Sequence, residues 1–383
     1  MERKKKKKQK LSKSQIIASP SLSKEELREA MKSQNDAALA LTRKVIACEA
    51  RNTNFVFSPA SINAALTMMA SGTGFVSDEL KAIYREISAV VFADGGATGG
   101  PKIVAVNGVW VDQSLPVNHS LKDLLENVFK ATFTQVDFRS KAEQVRIKLN
   151  QWASDHTNGF IRNLLPPGSI TSVTKQVYGN ALYFKGAWEH KFDKSLTKNK
   201  KFHLLVGEPV SVPFMSSHKS QYIKAYDGFK VLGLPYRQGR GIDDDTKRKF
   251  SMYFYLPDKK DGLSNLLEEM TSTPGFLDSH IPEHKVTVGD FRIPKFNISF
   301  MFEASRAFEG DVSVTMYHQA TVQIDEVGAE AAAVTYVGVK VGMCRRKPTP
   351  PKLIDFVADH PFLFLIREDK TGTVLFAGQI LDP

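Results

Sequence analysis

Two serines and a histidine are the first residues in this sequence whose types suggest chemistry. Ser58 and Ser61 lie three residues apart, and His318 lies far along the chain. A hydroxyl and an imidazole are the nucleophile and the general base of many hydrolases. However, no Gly-x-Ser-x-Gly motif or other catalytic signature accompanies these residues. We therefore predict that the chain is not an enzyme.

Motifs for cofactors and metals are also missing from the sequence. It has no Gly-x-Gly-x-x-Gly fingerprint, no Gly-x4-Gly-Lys-Ser/Thr loop and no Cys/His cluster at zinc spacing. Cys48 and Cys344 are the only cysteines, which excludes a disulfide framework and favours a reducing compartment. We expect no cofactor and no metal.

The segment from Glu326 to Val339 has an unusual distribution of small residues. Read as an extended strand, it places only small or β-branched uncharged side chains on one face, at Ala329, Ala331, Ala333, Thr335, Val337 and Val339. The other face carries Glu330, Ala332, Val334, Tyr336, Gly338 and Lys340. Such a segment can enter a sheet as a new strand. The basic residues that follow, up to Lys352, favour a solvated loop.

Positive charge is concentrated at the N terminus. Eight basic residues between Arg3 and Lys13 against one acidic residue give +7 of the total of +11. We predict a disordered basic tail over residues 1–22. The tail either contacts a polyanion or an import receptor, or only aids solubility. No apolar segment resembles a secretory signal or a membrane span, so we expect a cytoplasmic or nuclear protein and no membrane partner.

The remaining sequence predicts interspersed helices and strands. A capping-box spacing from Ser23 to Glu26 predicts a helix start, and Pro59 is placed to open a second helix. Two strongly apolar runs, Phe362–Ile366 and Val374–Ile380, predict buried central strands. Because the elements lack a strict βαβ rhythm, we expect an α+β fold with large, mostly antiparallel sheets.

Several stretches together make the chain similar to the serpins, most closely the plant Z-type branch. These stretches cover nearly everything after residue 35. They are Asn54–Ile62 (NFVFSPASI), Asn180–Trp188 (NALYFKGAW), Phe202–Leu204, Tyr226–Tyr236 (YDGFKVLGLPY), Phe250–Pro257 (FSMYFYLP), Ile293–Phe296 (IPKF), Glu326–Ala333, Phe356–Ile366 (FVADHPFLFLI) and Phe376–Pro383.

The resemblance implies one domain over residues 23–383, with three largely antiparallel sheets, surrounding helices and an exposed reactive-centre loop at about 329–353. It implies a monomeric inhibitor that a serine or papain-like cysteine protease attacks as a substrate. After acylation the loop inserts into the main sheet and distorts the trapped protease. The hinge of this loop would consist of Glu326, Gly328, Ala329, Glu330, Ala331, Ala332 and Ala333.

The resemblance also implies a polar cluster beneath the main sheet and a tryptophan where the loop enters. The matching positions are Ser58, Ser61, Asn180 and His318 for the cluster, and Trp188 for the tryptophan. Each also has a purely structural explanation: Ser58 as a helix cap, His318 as a hydrogen-bonded core histidine, and Trp188 as core filling.

Counting fourteen residues from the hinge glycine places the cleaved bond at Gly342–Met343. A glycine before the bond offers nothing to a deep specificity pocket, so a protease that selects Val341 instead, as papain-like enzymes do, suits this bond. Arg345 and Arg346 are alternative sites. Cleavage there lengthens the tether by about 3.3 Å per residue, which favours simple hydrolysis over trapping.

Two stretches are shorter than the family pattern, near residues 74–92 and 308–312. The second lies where a longer connection normally precedes a strand of the main sheet. We expect exposed apolar surface or a poorly ordered strand there. The alternative function is therefore a non-inhibitory serpin that acts as a binding protein or is a degenerate family member.

Overall fold

The computed structural model describes residues 23–71, 77–239, 248–307, 314–328 and 353–383. The predicted basic tail lies outside these ranges, and so does the predicted loop at about 329–353 except for its last residue. Within the ranges the α-helices are α1 (Lys24–Glu49), α2 (Pro59–Ser71), α3 (Asp78–Glu86), α4 (His119–Asn127), α5 (Phe138–His156), α6 (Leu263–Ser272), α7 (Phe276–Ser279) and α8 (Ala304–Ala307).

Strands make up most of the remaining regular structure. They are β1 (Phe55–Phe57), β2 (Lys102–Asp112), β3 (Ala131–Val136), β4 (Gln176–Lys185), β5 (Lys198–Phe202), β6 (Val210–Ser216), β7 (Gln221–Ala225), β8 (Phe229–Pro235), β9 (Phe250–Pro257), β10 (Lys285–Val286), β11 (Val288–Pro294), β12 (Phe296–Glu303), β13 (Val314–Ile324), β14 (Ile354–Val357), β15 (Phe362–Glu368) and β16 (Val374–Ile380).

The strands form three sheets, so the predicted α+β fold with three sheets is confirmed. The orders are β1-β16-β15-β9-β8-β7-β10, β14-β11-β6-β5 and β12-β13-β4-β2-β3. Strands β15 and β16 are buried along their whole length inside the seven-stranded sheet, as their uninterrupted apolar sequence predicts.

Local sequence signals account for the starts of α1 and α2. The hydroxyl of Ser23 accepts the backbone N–H of Glu26 (3.2 Å), and the Glu26 carboxylate accepts the backbone N–H of Ser23 (2.8 Å). This is the reciprocal capping box that the spacing predicts. Pro59 occupies the first position of α2, where its missing N–H costs no helical hydrogen bond.

The five-stranded sheet, called the main sheet below, contains a parallel pair near its centre. Strands β4 and β13 pair in parallel from Gln176 opposite Val314 to Tyr183 opposite Thr321. Their outer neighbours, β2 and β12, pair with them antiparallel. A strand running opposite to both β4 and β13 would therefore form antiparallel ladders on both sides if the pair separated.

Strand β13, which follows the short connection, is a regular strand of the main sheet. Strand β13 is paired on both sides, with β12 from Phe296 opposite Ile324 to Glu303 opposite Tyr317, and with β4. Ladder hydrogen bonds and cross-strand packing to two neighbours therefore hold β13 in the main sheet. Residues 308–312, for which we expect exposed apolar surface or a poorly ordered strand, lie outside the described residues.

The other shortened stretch, near residues 74–92, contains α3 and a π-helical turn over Ile87–Val91. Among the residues that the structure describes, no helix is both long and apolar enough to span a bilayer.

Candidate functional site

Three polar residues form a row across the main sheet. Asn107 on β2 is directly opposite Asn180 on β4, which is directly opposite His318 on β13. Directly opposed residues on neighbouring strands point to the same face of a sheet, so the three side chains meet. All three are buried, and the Nδ1 atom of His318 lies 2.7 Å from Oδ1 of Asn180, across the boundary between the parallel strands.

The segment between β1 and α2 completes this group, and we call Ser58, Ser61, Asn107, Asn180 and His318 the polar cluster. The Ser61 hydroxyl donates to Oδ1 of Asn180 (2.8 Å), and the backbone N–H of Ser58 donates to Nε2 of His318 (2.9 Å). The Ser58 hydroxyl accepts the backbone N–H of Ser61 (3.1 Å), so it caps α2. Ser58 therefore contacts the polar cluster through its backbone N–H and caps α2 through its hydroxyl.

The hydrogen bonds of His318 determine its tautomer. A backbone N–H can only donate, so Nε2 must accept from Ser58, and the ring proton lies on Nδ1 and is donated to Asn180. Complete burial lowers the pKa of His318 to about 3, because desolvation disfavours the charged ring. Since both ring nitrogens are engaged, the ring is not placed to act as a base for either serine hydroxyl.

Asn107 is a member of the cluster that sequence reasoning missed. Its Oδ1 accepts from Nδ2 of Asn180 (2.7 Å), and its own Nδ2 donates to the backbone carbonyl of Phe129 (3.0 Å). An asparagine inside the apolar run Ile103–Val111 was the available signal, because a buried amide needs partners. The cluster thus links α2 to three adjacent strands, β2, β4 and β13.

A second set of contacts holds the chain just after β13. We call Asp325–Gly328 the hinge anchor. The backbone N–H and the indole N–H of Trp188 donate to the carbonyls of Val327 and Asp325, each at 2.9 Å. Trp188 is buried and stacks on Tyr236 with ring centroids 4.6 Å apart. Its indole therefore supports the backbone from which the predicted loop departs.

Glu326 is the charged member of the hinge anchor. Its carboxylate accepts from Nζ of Lys295 (2.9 Å) and from the hydroxyl of Thr197 (2.8 Å), and its side chain is only 5% exposed. Burial acts to raise the pKa of Glu326, but these hydrogen bonds and the charge of Lys295 outweigh it and lower the pKa. Glu326 is thus ionised and paired at neutral pH.

Gly328 ends the hinge anchor in a conformation that favours glycine. Its φ is +113°, and an added Cβ would lie 2.3 Å from the Gly186 carbonyl oxygen and 2.7 Å from Cα of Ala187. The absence of a side chain lets the backbone pair closely with Ala187 at the end of β4. The predicted hinge residues Ala329, Glu330, Ala331, Ala332 and Ala333, and the candidate cleavage residues Gly342, Met343, Arg345 and Arg346, lie outside the described residues.

In the described ranges, no group of three or more His, Cys, Asp or Glu residues is arranged to hold a metal ion.

The polar cluster and the hinge anchor both fasten β13 to β4. The polar cluster lies near the middle of the strand pair, and the hinge anchor lies just beyond its end. What the arrangement can do is hold two parallel strands together through bonds that break when the strands part.

Comparison with known proteins agrees with this architecture. A family profile described as Serpin (serine protease inhibitor) matches residues 32–311 and 309–383. Serpin-Z2 of Arabidopsis thaliana is 59% identical, covering 99% of this chain and 97% of its own length. Probable non-inhibitory serpin-Z5 of Arabidopsis thaliana is 58% identical, over 100% of this chain and 94% of its own. The structure of Arabidopsis AtSerpin1 in its native stressed conformation superposes with a TM-score of 0.83 at 43% identity, covering 93% of this chain and 98% of that one.

Proposed function

Because this chain belongs to the serpin family, we propose that it inhibits a serine or papain-like cysteine protease as a suicide substrate. The protease cleaves the loop after Gly328 and is trapped as an acyl-enzyme while the loop enters the main sheet. The chain itself performs no catalysis.

The observation that carries this proposal is the placement of the hinge anchor beside a parallel strand pair. The chain leaves β13 at its C-terminal end and, at Gly328, bridges to Ala187 just beyond β4. A segment that folds back from this point runs antiparallel to both β13 and β4. It is therefore oriented to insert between them with regular ladders on each side.

The loop is long enough, relative to β13, for such an insertion. Cleavage after Gly342 leaves fourteen residues beyond Gly328, which span about 46 Å when extended. Strand β13 has eleven residues and spans about 36 Å. The tether thus suffices to cross the sheet, and cleavage after Arg345 would add about 10 Å of slack.

The test is incubation with papain and with trypsin, followed by denaturing gel electrophoresis and mass spectrometry of the released fragment. With papain we expect an SDS-resistant complex and a new terminus at Met343. Ala333→Arg, on the small-residue face, is expected to abolish the complex while cleavage persists, whereas Ala332→Arg, on the opposite face, is expected to retain it. Cleavage by both proteases with no complex would contradict the proposal.

A non-inhibitory role is the second candidate, favoured by two observations. Probable non-inhibitory serpin-Z5 resembles this chain about as closely as Serpin-Z2 does. The family match also falls into two pieces, which overlap at residues 309–311 in the short connection before β13. Thermal unfolding before and after loop cleavage separates the candidates. Insertion should raise the midpoint strongly, while an unchanged midpoint would favour a binding protein.

A further inference from the structure

A cavity of about 300 Å³ lies over the end of the seven-stranded sheet, apart from the polar cluster. Its floor includes Tyr222, Gly233 and Tyr253, which are opposite one another on β7, β8 and β9. A Cβ at Gly233 would lie 3.1 Å from the Tyr253 ring and 3.6 Å from Cβ of Tyr222. Gly233 therefore makes room for the Tyr253 ring over β8.

A half-buried carboxylate, that of Asp369, forms one wall of this cavity. Oδ2 of Asp369 accepts from the Ser251 hydroxyl (2.6 Å), and Oδ1 accepts from the Tyr253 hydroxyl (2.8 Å). Both donors are neutral, and the guanidinium of nearby Arg367 is engaged by Asp278. Each carboxylate oxygen has a second acceptor position, so Asp369 can accept one more donor on either oxygen.

The remaining lining suits a cation with an apolar body. Phe250, Tyr222 and Tyr253 supply aromatic surface, and Nζ of Lys285 already lies 5.0 Å from the centroid of the Tyr222 ring, an arrangement that shows this ring accepting positive charge.

Carboxylates outnumber ammonium groups among the side chains that line the cavity, which favours a cationic ligand. Two carboxylates, Asp369 and Glu189, line the cavity with one ammonium, that of Lys249, and the ammonium of Lys285 lies outside this lining, over the Tyr222 ring. Lys249 is exposed, so its side chain can turn toward solvent when a ligand enters.

We propose that this cavity binds a small primary amine that carries a flat apolar group, with the ammonium on Asp369 and the apolar group against Tyr222 and Tyr253. The volume lies at the small end of ligand sites, which run from about 300 to 1,000 Å³. A two-ring amine fits such a volume. The site does not depend on the inhibitory reaction.

Calorimetric titration of the full chain with tryptamine tests the proposal, with its neutral alcohol analogue tryptophol as the matched control. We expect tryptamine to bind at one site. Tryptophol should bind at least about tenfold more weakly, because its neutral hydroxyl carries no positive charge to pair with the Asp369 carboxylate. Equal affinities, or no binding of tryptamine at millimolar concentration, would overturn the proposal.

Two variants locate the ammonium. Asp369→Asn keeps a group that can bond both hydroxyls and should weaken tryptamine binding about tenfold. Lys249→Gln removes the competing positive charge and should tighten binding about two- to threefold. Because Lys249 is exposed, this variant remains decisive if Asp369→Asn fails to fold, and unchanged or weaker binding by it would contradict the assigned position.

Discussion

Replacing His318 with glutamine should remove an acid-dependent loss of stability. The folded chain holds His318 neutral with a pKa of about 3, while the unfolded side chain titrates near 6.5. Between these values the unfolded chain binds a proton that the folded chain excludes, so stability falls as pH decreases below about 6.5. Glutamine does not titrate in this range, and its carbonyl can accept the N–H of Ser58.

The size of the effect follows from the two pKa values. At pH 7.5 the histidine contributes almost no difference between folded and unfolded chains, whereas at pH 5 it destabilises the folded chain by about 2 kcal/mol. Asp369 opposes this trend, because burial raises its pKa to about 6. Its preference for the protonated form adds about 1.4 kcal/mol of stability on going from pH 7.5 to pH 5. The unsubstituted chain should therefore show a shallow pH dependence.

Comparing the unsubstituted chain with His318→Gln isolates the contribution of His318 to the pH dependence of stability. Urea unfolding followed by tryptophan fluorescence at pH 7.5 and pH 5 gives the free energy of unfolding of the native state. Relative to the unsubstituted chain, His318→Gln should gain about 2 kcal/mol at pH 5 compared with pH 7.5. His119→Gln, at an exposed histidine on α4, should show no such gain. Parallel pH profiles for the unsubstituted chain and His318→Gln would refute the reasoning.

The other predictions concern the hinge anchor and the polar cluster. Glu326→Gln removes the ion pair to Lys295 and should lower the free energy of unfolding by about 1–2 kcal/mol, measured in urea; an unchanged midpoint would contradict the described pairing. Ser61→Ala removes one of the two donors to Asn180 and should cost about 1 kcal/mol, seen as a lower thermal midpoint, and no shift would mean that this bond does not stabilise the sheet. Gly328→Ala forces a Cβ against the neighbouring segment and should cost about 1–3 kcal/mol. It should also redshift tryptophan emission as the anchor detaches from the indole, and an unaltered spectrum would count against that contact.

Short-range signals in the sequence predicted individual helices and strands better than they predicted which strands pair with each other. The capping box at Ser23 and the apolar run of β16 depend on neighbouring residues, so sequence alone locates them. Strands β5 and β6 escaped prediction because lysines dominate the first and Pro213 interrupts the second. Both are strands because they pair with each other and β6 also with β11, which is a tertiary effect that overrides local preference.

The candidate site shows the same division. Family resemblance pointed to Ser58, Ser61, Asn180 and His318, and the structure brings these four together. Their meeting depends on the register between strands more than seventy residues apart in sequence, which no local pattern encodes. The apolar run around Asn107 indicates that its amide needs a partner, but the register opposite Asn180 identifies that partner, and sequence reasoning did not supply this register.

Four hydrogen bonds of the polar cluster form a chain that runs in one direction. They begin at a backbone N–H of Ser58, pass through His318, Asn180 and Asn107, and end at the backbone carbonyl of Phe129. Neither end can exchange its role as donor or acceptor, so the orientation of every side chain between them is dictated from both sides. One reversed member would set donor against donor or acceptor against acceptor. Positions 107, 180 and 318 should therefore vary among related sequences as a set, and seldom one at a time.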